Sequence, residues 1–336
     1  MKLPPRSHLT LLCAQLAVLL AACGSGLPAD DPGKLNVVAT VSPITNIVFN
    51  VGGDRIELVG IVPEGVNSHT FAPTPSDAQA LARADRVFIN GLHLEQPTLA
   101  LALANLKPGA EIISLGDLTI DEEEYVFDFS FPRDAGSPNP HLWPNPVYAL
   151  HYAEIVLAAL IDADPVNADY YTANYEVFAA RLQALDKAIT ATVESIPLEN
   201  RKLLTYHDSW AYFAPRYGMT VVGAIQPSDF SEPSAHDVID LIEQVRAESV
   251  PAIFGSEVFP SPVLEQIARE TGAAFVDDLA DDDLPGEPGD MQHSYVGLMV
   301  HNLGVMARSL GGDPTLIAGV DVRNIPGSDA AVAQRQ

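Results

Sequence analysis

The segment Asn139-Pro140-His141-Leu142-Trp143-Pro144-Asn145-Pro146 holds one histidine between prolines. Proline fixes φ and restricts the residue before it, so the His141 imidazole sits on a stiffened backbone. It can serve there as a ligand, a base or a packed ring. Three further residues of ligand type recur along the chain: His69, His207 and Asp277, with successive separations of 72, 66 and 70 residues. Three neutral imidazoles and one carboxylate suit a divalent transition ion, since nitrogen ligands favour zinc and a single negative oxygen offsets half the ion's charge. Such a shell fills a tetrahedral site and leaves no position for an activated water, which a catalytic zinc keeps open. The set therefore favours binding over hydrolysis. The chain also has no His-Glu-x-x-His, no phosphate-cradling Walker loop and no nucleophile elbow.

Each position has a plainer reading. Asp277 alone reads as a surface acid or helix cap, and Asp278 beside it is the alternative fourth ligand. His93 is a surface residue or a neighbour of the site's mouth. His236 and His301 fit helix faces and read as structural. Trp143 and Trp210, beside candidate ligands, read as an apolar wall that keeps solvent out.

The elements that must position these residues alternate. Leu35–Thr40 reads as a buried strand, and Ser42-Pro43 opens a helix with Ser42 as its cap. Strands at 55–61, 86–90 and 111–115 alternate with helices at 76–83 and 95–106. Residues 116–140, with the acidic run Asp121-Glu122-Glu123-Glu124, break the pattern and read as a surface excursion. A helix follows at 148–161. From Pro165 to Ile196, Tyr171, Tyr175, Phe178, Leu182, Leu185, Ile189 and Val193 recur every three or four residues, which places them along one side of a long helix. Strands at 202–206, 219–225, 251–255 and 273–276 then alternate with helices at 209–217, 235–248 and 261–271, and a helix at 295–310 closes the pattern. The fold class is α/β: two similar (β/α) lobes with largely parallel sheets, joined by one long rigid helix. His207 and Asp277 directly follow strands, where ligand groups collect in parallel sheets. Two candidates from each lobe would meet at the interface between them.

The first 22 residues are set apart. Lys2 and Arg6 precede an apolar run from Leu9 to Leu20 that is too short to span a membrane stably. The run ends in Leu20-Ala21-Ala22-Cys23, which resembles a bacterial lipoprotein signal with Cys23 as the lipidated mature N-terminus. Cys13 lies in the leader, so the mature chain has no pair of thiols for a disulfide. The expected organisation is a signal peptide at 1–22, a tether at 23–34, a first lobe at 35–163, a linking helix at 164–197, a second lobe at 198–320 and a loose tail at 321–336. Against 18 basic residues stand 44 acidic ones, and loss of Lys2 and Arg6 takes the formal charge from −26 to −28. That balance argues against nucleic acid as a partner, and membrane attachment would rest on the acyl chains.

These residues carry a family resemblance. The quoted elements are His69 with Phe71 and Pro73; Asn90-Gly91-Leu92 with Leu94-Glu95; Asn139-Pro140-His141-Leu142-Trp143 with Asn145-Pro146; Tyr206-His207-Asp208 with Tyr212-Phe213; Asp277; and Tyr295 with His301-Asn302. In them the chain resembles the metal-binding lipoproteins of bacterial ABC importers for zinc and manganese, over residues 35–312. The resemblance implies one divalent ion per chain, held by His69, His141, His207 and Asp277 at the lobe interface. It implies limited hinge motion and delivery to an ABC permease with a cytoplasmic ATPase. The protein would be a monomer, not an enzyme, lipid-anchored outside the cytoplasm in the periplasm or on the outer face of the cytoplasmic membrane. The third ligand in this family is typically histidine in zinc importers and glutamate in many manganese importers, so His207 tilts the choice to zinc, with manganese as the alternative. Remaining alternatives are a surface adhesion lipoprotein with structural metal and, last, a metallohydrolase. Two departures stand out: the loop at 121–134 is acidic and lacks histidine, and Gly255-Ser256-Glu257 alters the order usual in the family.

Overall fold

The computed structural model describes residues 33–256, 261–280, 282–325 and 333–334. The leader, the lipidation candidate Cys23, Glu257 and most of the tether lie outside them.

The first lobe alternates strand and helix: β1 (Leu35–Ala39), α1 (Ser42–Gly52), β2 (Ile56–Gly60), α2 (Pro75–Arg83), β3 (Arg86–Ile89), α3 (Gln96–Asn105) and β4 (Glu111–Ser114). The strands lie in the order β4-β3-β1-β2, every pair parallel. Parallel neighbours need crossovers, and α1, α2 and α3 supply them while covering the sheet. Helix α1 begins one residue earlier than its Ser-Pro signal suggests. Thr45 N donates to Val41 O at 2.9 Å, so Val41 occupies the capping position and Ser42 is already helical.

Two long helices follow, the second of which joins the lobes. Helix α4 (Pro146–Ala163) starts where the Asn145 side chain accepts from Val147 N at 3.0 Å. Helix α5 (Ala168–Ser195) has 28 residues, roughly 42 Å at 1.5 Å per residue. Of its expected apolar stripe, Tyr171, Phe178, Leu182, Leu185, Ile189 and Val193 are buried, while Tyr175 is half-buried with its hydroxyl on Glu154 at 3.0 Å.

The second lobe repeats the scheme with β5 (Lys202–Thr205), α6 (Ala214–Tyr217), β6 (Thr220–Ala224), α7 (Ala235–Glu248), β7 (Ala252–Phe254), α8 (Pro262–Thr271), β8 (Ala274–Val276) and α9 (Tyr295–Leu310). Its parallel sheet runs β6-β5-β7-β8. In each lobe the first strand is internal and the order reverses around it. Crevices form beyond the carboxyl ends of the strands at such reversals.

The structure departs from the sequence reading in three places. The segment 116–140 is exposed in part, at 117–118, 121–124, 129 and 133–136, but not throughout. Between the exposed stretches, Ser130 and Phe131 are buried against the second lobe, with Ser130 N on Asp208 Oδ2 at 2.9 Å and Ser130 Oγ on Gln226 O at 2.6 Å. The helix expected from Ser209 contracts to α6, because the Asp208 carboxylate binds Ser130 instead of capping it. The end of the chain also returns to the first lobe. Asn324 Oδ1 accepts from Asn46 Nδ2 at 3.1 Å and Asn50 Nδ2 at 3.0 Å, and a short strand, β9 (Ala333–Gln334), pairs with β2.

Candidate metal centre

Three loops bring three imidazoles together. His69 sits in the loop after β2, where Asn67 Oδ1 accepts its backbone N–H at 2.9 Å. Carboxylates of the second lobe hold this loop: Ser68 Oγ donates to Asp282 at 2.8 Å and Gly65 N to Asp283 at 2.5 Å. His207 follows β5, and Thr205 Oγ1 donates to its carbonyl at 2.6 Å.

The setting of His141 is the most determined. Asn139 Oδ1 accepts from the His141 backbone N–H at 3.1 Å and faces Nδ1 at 2.8 Å. That contact assigns the ring proton to Nδ1 and leaves the Nε2 lone pair for an ion, the usual role of a partner behind a ligating imidazole. Asn139 Nδ2 reaches the other lobe, donating to Asp208 O at 2.8 Å. The preceding carbonyl, Pro140 O, is held by Asn90 Nδ2 at 2.9 Å. Asn90 is itself anchored by the buried Glu95, which accepts from Asn90 N at 2.8 Å, Gly91 N at 3.2 Å and Thr40 Oγ1 at 2.5 Å. Burial raises the Glu95 pKa, against the pull of those hydrogen bonds.

His69 Nε2 lies 3.2 Å from His141 Nε2 and 3.1 Å from His207 Nε2, and the three ligand atoms fall within 4.8 Å of one another. Ligands about 2.0–2.1 Å from a tetrahedral zinc stand about 3.3–3.4 Å apart. Three acceptor atoms this close repel unless a cation or a proton lies between them. Burial first, then repulsion from His207, holds His69 and His141 well below the ordinary imidazole pKa, so both are neutral and ready to ligate. Behind them stand the half-buried Asp128 and the buried Asp208, both with pKa values raised, by burial first.

Asp277 is not brought into the cluster, nor is Asp278. It is exposed at the end of β8, an edge strand two places from β5, which puts it about 10 Å across the sheet from the His207 strand. Gly255 stands between, with space for a Cβ only 3.3 Å from the Asp277 Cα. Asp278 is engaged elsewhere, since His301 Nε2 contacts its carbonyl at 2.7 Å and its carboxylate at 3.3 Å.

Of the two expected wall residues, Trp143 meets His141 edge-on at 5.0 Å, whereas Trp210 packs on Phe213 at 5.1 Å. His236 is exposed, 3.8 Å from Asp240. His93 lines a cavity of about 160 Å³ together with His69, Ser137, Phe131 and Phe230. Both phenylalanines were missed in the sequence. Phe230 stacks on His69 at 4.5 Å and 16°, and Phe131 touches His69 and His141 at 5.5 and 5.6 Å. Neither has a spacing or motif that announces it, and only the loops' meeting reveals them.

The sequence profile of the family described as zinc-uptake complex component A, periplasmic, matches residues 37–309. The chain belongs to this family. Members are substrate-binding components of ABC importers, working with a permease and an ATPase, and this chain is likewise an extracytoplasmic receptor for a divalent metal ion. Among relatives, it is 30% identical over 309 residues to the metal ABC transporter substrate-binding lipoprotein FimA of Streptococcus parasanguinis, covering 90% of this chain and 98% of FimA. It is 29% identical over 308 residues to the manganese ABC transporter substrate-binding lipoprotein PsaA of Streptococcus anginosus, covering 90% and 98%. Among solved structures, the periplasmic zinc-binding protein TroA of Treponema pallidum superposes with a TM-score of 0.74 at 27% identity, covering 83% of this chain and 99% of TroA. The zinc-uptake family fold thus extends over both lobes and the linking helix.

Proposed function

We propose that this zinc-uptake family member binds one zinc ion through His69, His141, His207 and Asp277 and hands it to an ABC permease. The observation that carries the reading is the convergence of three Nε2 atoms at 3.1–3.2 Å, two of them on imidazoles kept neutral by burial. Three nitrogens favour zinc, and the similarity to TroA, named for zinc, supports the choice. Manganese is the second reading, because PsaA is named for it and is similar over nearly its whole length. With Asp277 as the fourth ligand the shell is filled, which makes the chain a receptor rather than an enzyme. The molecule acts as a monomer, tethered by lipid on Cys23 to the outer side of a bacterial membrane.

The test is metal analysis of protein purified without added metal, then competition titration of zinc against manganese. One tight ion per chain is expected, with zinc preferred. His207→Ala should weaken binding by at least about 100-fold, since it removes one of few strong ligands. A stoichiometry near zero, or affinity indifferent to that substitution, overturns the assignment.

A further inference from the structure

We propose that Phe230 is a positioning residue for ion binding: its ring, presented by a turn of the second lobe, holds the His69 imidazole of the first lobe and restrains release of the ion past it. The proposal rests on His69 being a ligand.

His141 and His207 are fully buried, whereas His69 is partly exposed and borders the cavity of about 160 Å³. An ion that leaves the cluster must therefore pass on the His69 side. Phe230 stands there, nearly parallel to the imidazole at 4.5 Å and 16°, with Phe131 tilted 6.0 Å away as the other wall. The backbone at Phe230 is left-handed, φ 58°, a costly conformation for a bulky side chain. The turn over-determines it. Phe230 N donates to Pro227 O at 2.9 Å, and Asp229 Oδ1 accepts from Ser231 N at 3.1 Å and Ser231 Oγ at 2.6 Å. A relaxed loop would not hold a phenylalanine in that conformation, and here the strain aims the ring at His69.

The stack has a charge-dependent part. A divalent ion on His69 makes that ring cationic in character, and the face of an aromatic ring attracts positive charge. The contact is then stronger with the ion bound than without it. A contact that favours the loaded state raises affinity, and one at the exit does so mainly through the off-rate. Because the two rings come from different lobes, the same contact ties their relative placement to the presence of the ion.

The experiment measures zinc release into excess chromophoric chelator by stopped flow, for wild type, Phe230→Ala, Phe230→Tyr, Phe230→Leu and His207→Ala, with thermal melts of each metal-free form. Phe230→Ala should release zinc about tenfold faster, with the association rate changed much less. Tyrosine, which keeps the aromatic face, should return release to within about threefold of wild type. Leucine, which keeps only apolar bulk, should behave as alanine. Unchanged release in the alanine variant overturns the proposal, as does rescue by leucine equal to that by tyrosine. His207→Ala separates this from the metal site itself. If it loses tight zinc while Phe230→Ala matches wild type, only the role of Phe230 fails; if wild type holds no zinc, or His207→Ala releases it as slowly, the ligand assignment fails.

Discussion

His69 and His141 owe their ligand character to burial more than to residue type. In water an imidazole is half-protonated near pH 6.5, and an ion must displace that proton. Burial and the neighbouring His207 hold both rings well below that value. The sign follows: as pH falls through the ordinary histidine range, these two rings stay unprotonated and do not compete with the ion. A plot of log affinity against pH between about 6 and 5 should therefore show a slope well below the three protons per ion that three ordinary imidazoles would approach there. Competition titration across that range checks it, and a slope near three refutes the shifts. Asn139 adds to burial by fixing the tautomer of His141, which presents Nε2 without any rearrangement on binding. Phe230 acts at the same scale, adding a ring where no ligand chemistry is needed.

At the scale of elements, loops carry the site and strands aim them. The turn Asn90–Glu95 shows how indirect the aiming is, since it contributes no candidate ligand yet props Pro140 directly before His141. Gly91 makes that turn feasible. Its φ is +83°, and an added Cβ would lie 1.9 Å from Ser114 Oγ and 2.5 Å from Asp117 Oδ2. Gly91→Ala should lose about 2–4 kcal/mol of stability from strain plus overpacking, and weaken ion binding as Pro140 shifts. Denaturant melts and metal titration on the same preparation test both effects. The loop at 116–145 works in the same way on a larger scale. Its acidic start is exposed, while Ser130 and Asn139 hydrogen-bond across to Gln226 and Asp208 of the second lobe.

Across the whole molecule the two lobes share their largest core, while a second cluster, including Leu204, Val245, Ile253 and Ile267, belongs to the second lobe alone. A continuous cluster runs from Val37 and Phe88 of the first sheet through Leu160 of α4 and Leu182 and Leu185 of α5 to Leu203, Phe254 and Met306 of the second lobe. Ties between lobes add to it, including Ser68 to Asp282 and Asn139 to Asp208, and Asn324 beyond the second lobe bonds back to Asn46 and Asn50 of the first. Such a body should unfold in one cooperative transition despite its two sheets. Leu185→Ala, at a fully buried place in α5, should lower stability by about 2–5 kcal/mol without splitting that transition. Calorimetry distinguishes this from two separate melts, which would mean that the lobes are coupled only loosely. A shared core also limits motion between lobes, so ion exchange has to depend on local loops such as those bearing His69 and Phe230.

The α/β alternation, the long apolar stripe of α5 and the three histidines were legible in the amino-acid order, because periodicity and strand ends are local properties. Proline-bounded His141 was legible for the same reason. Where Asp277 lies relative to the cluster was not, since that depends on β8 taking the sheet edge with β7 between it and β5. The stacking of Phe230 on His69, the hydrogen bond from Asn139 to the Asp208 carbonyl, and the return of Asn324 to Asn46 join residues far apart in the chain. No local pattern encodes such meetings. They arise only when two separately patterned lobes pack on common helices, and that packing sets both the neutrality of the imidazoles and the way past them.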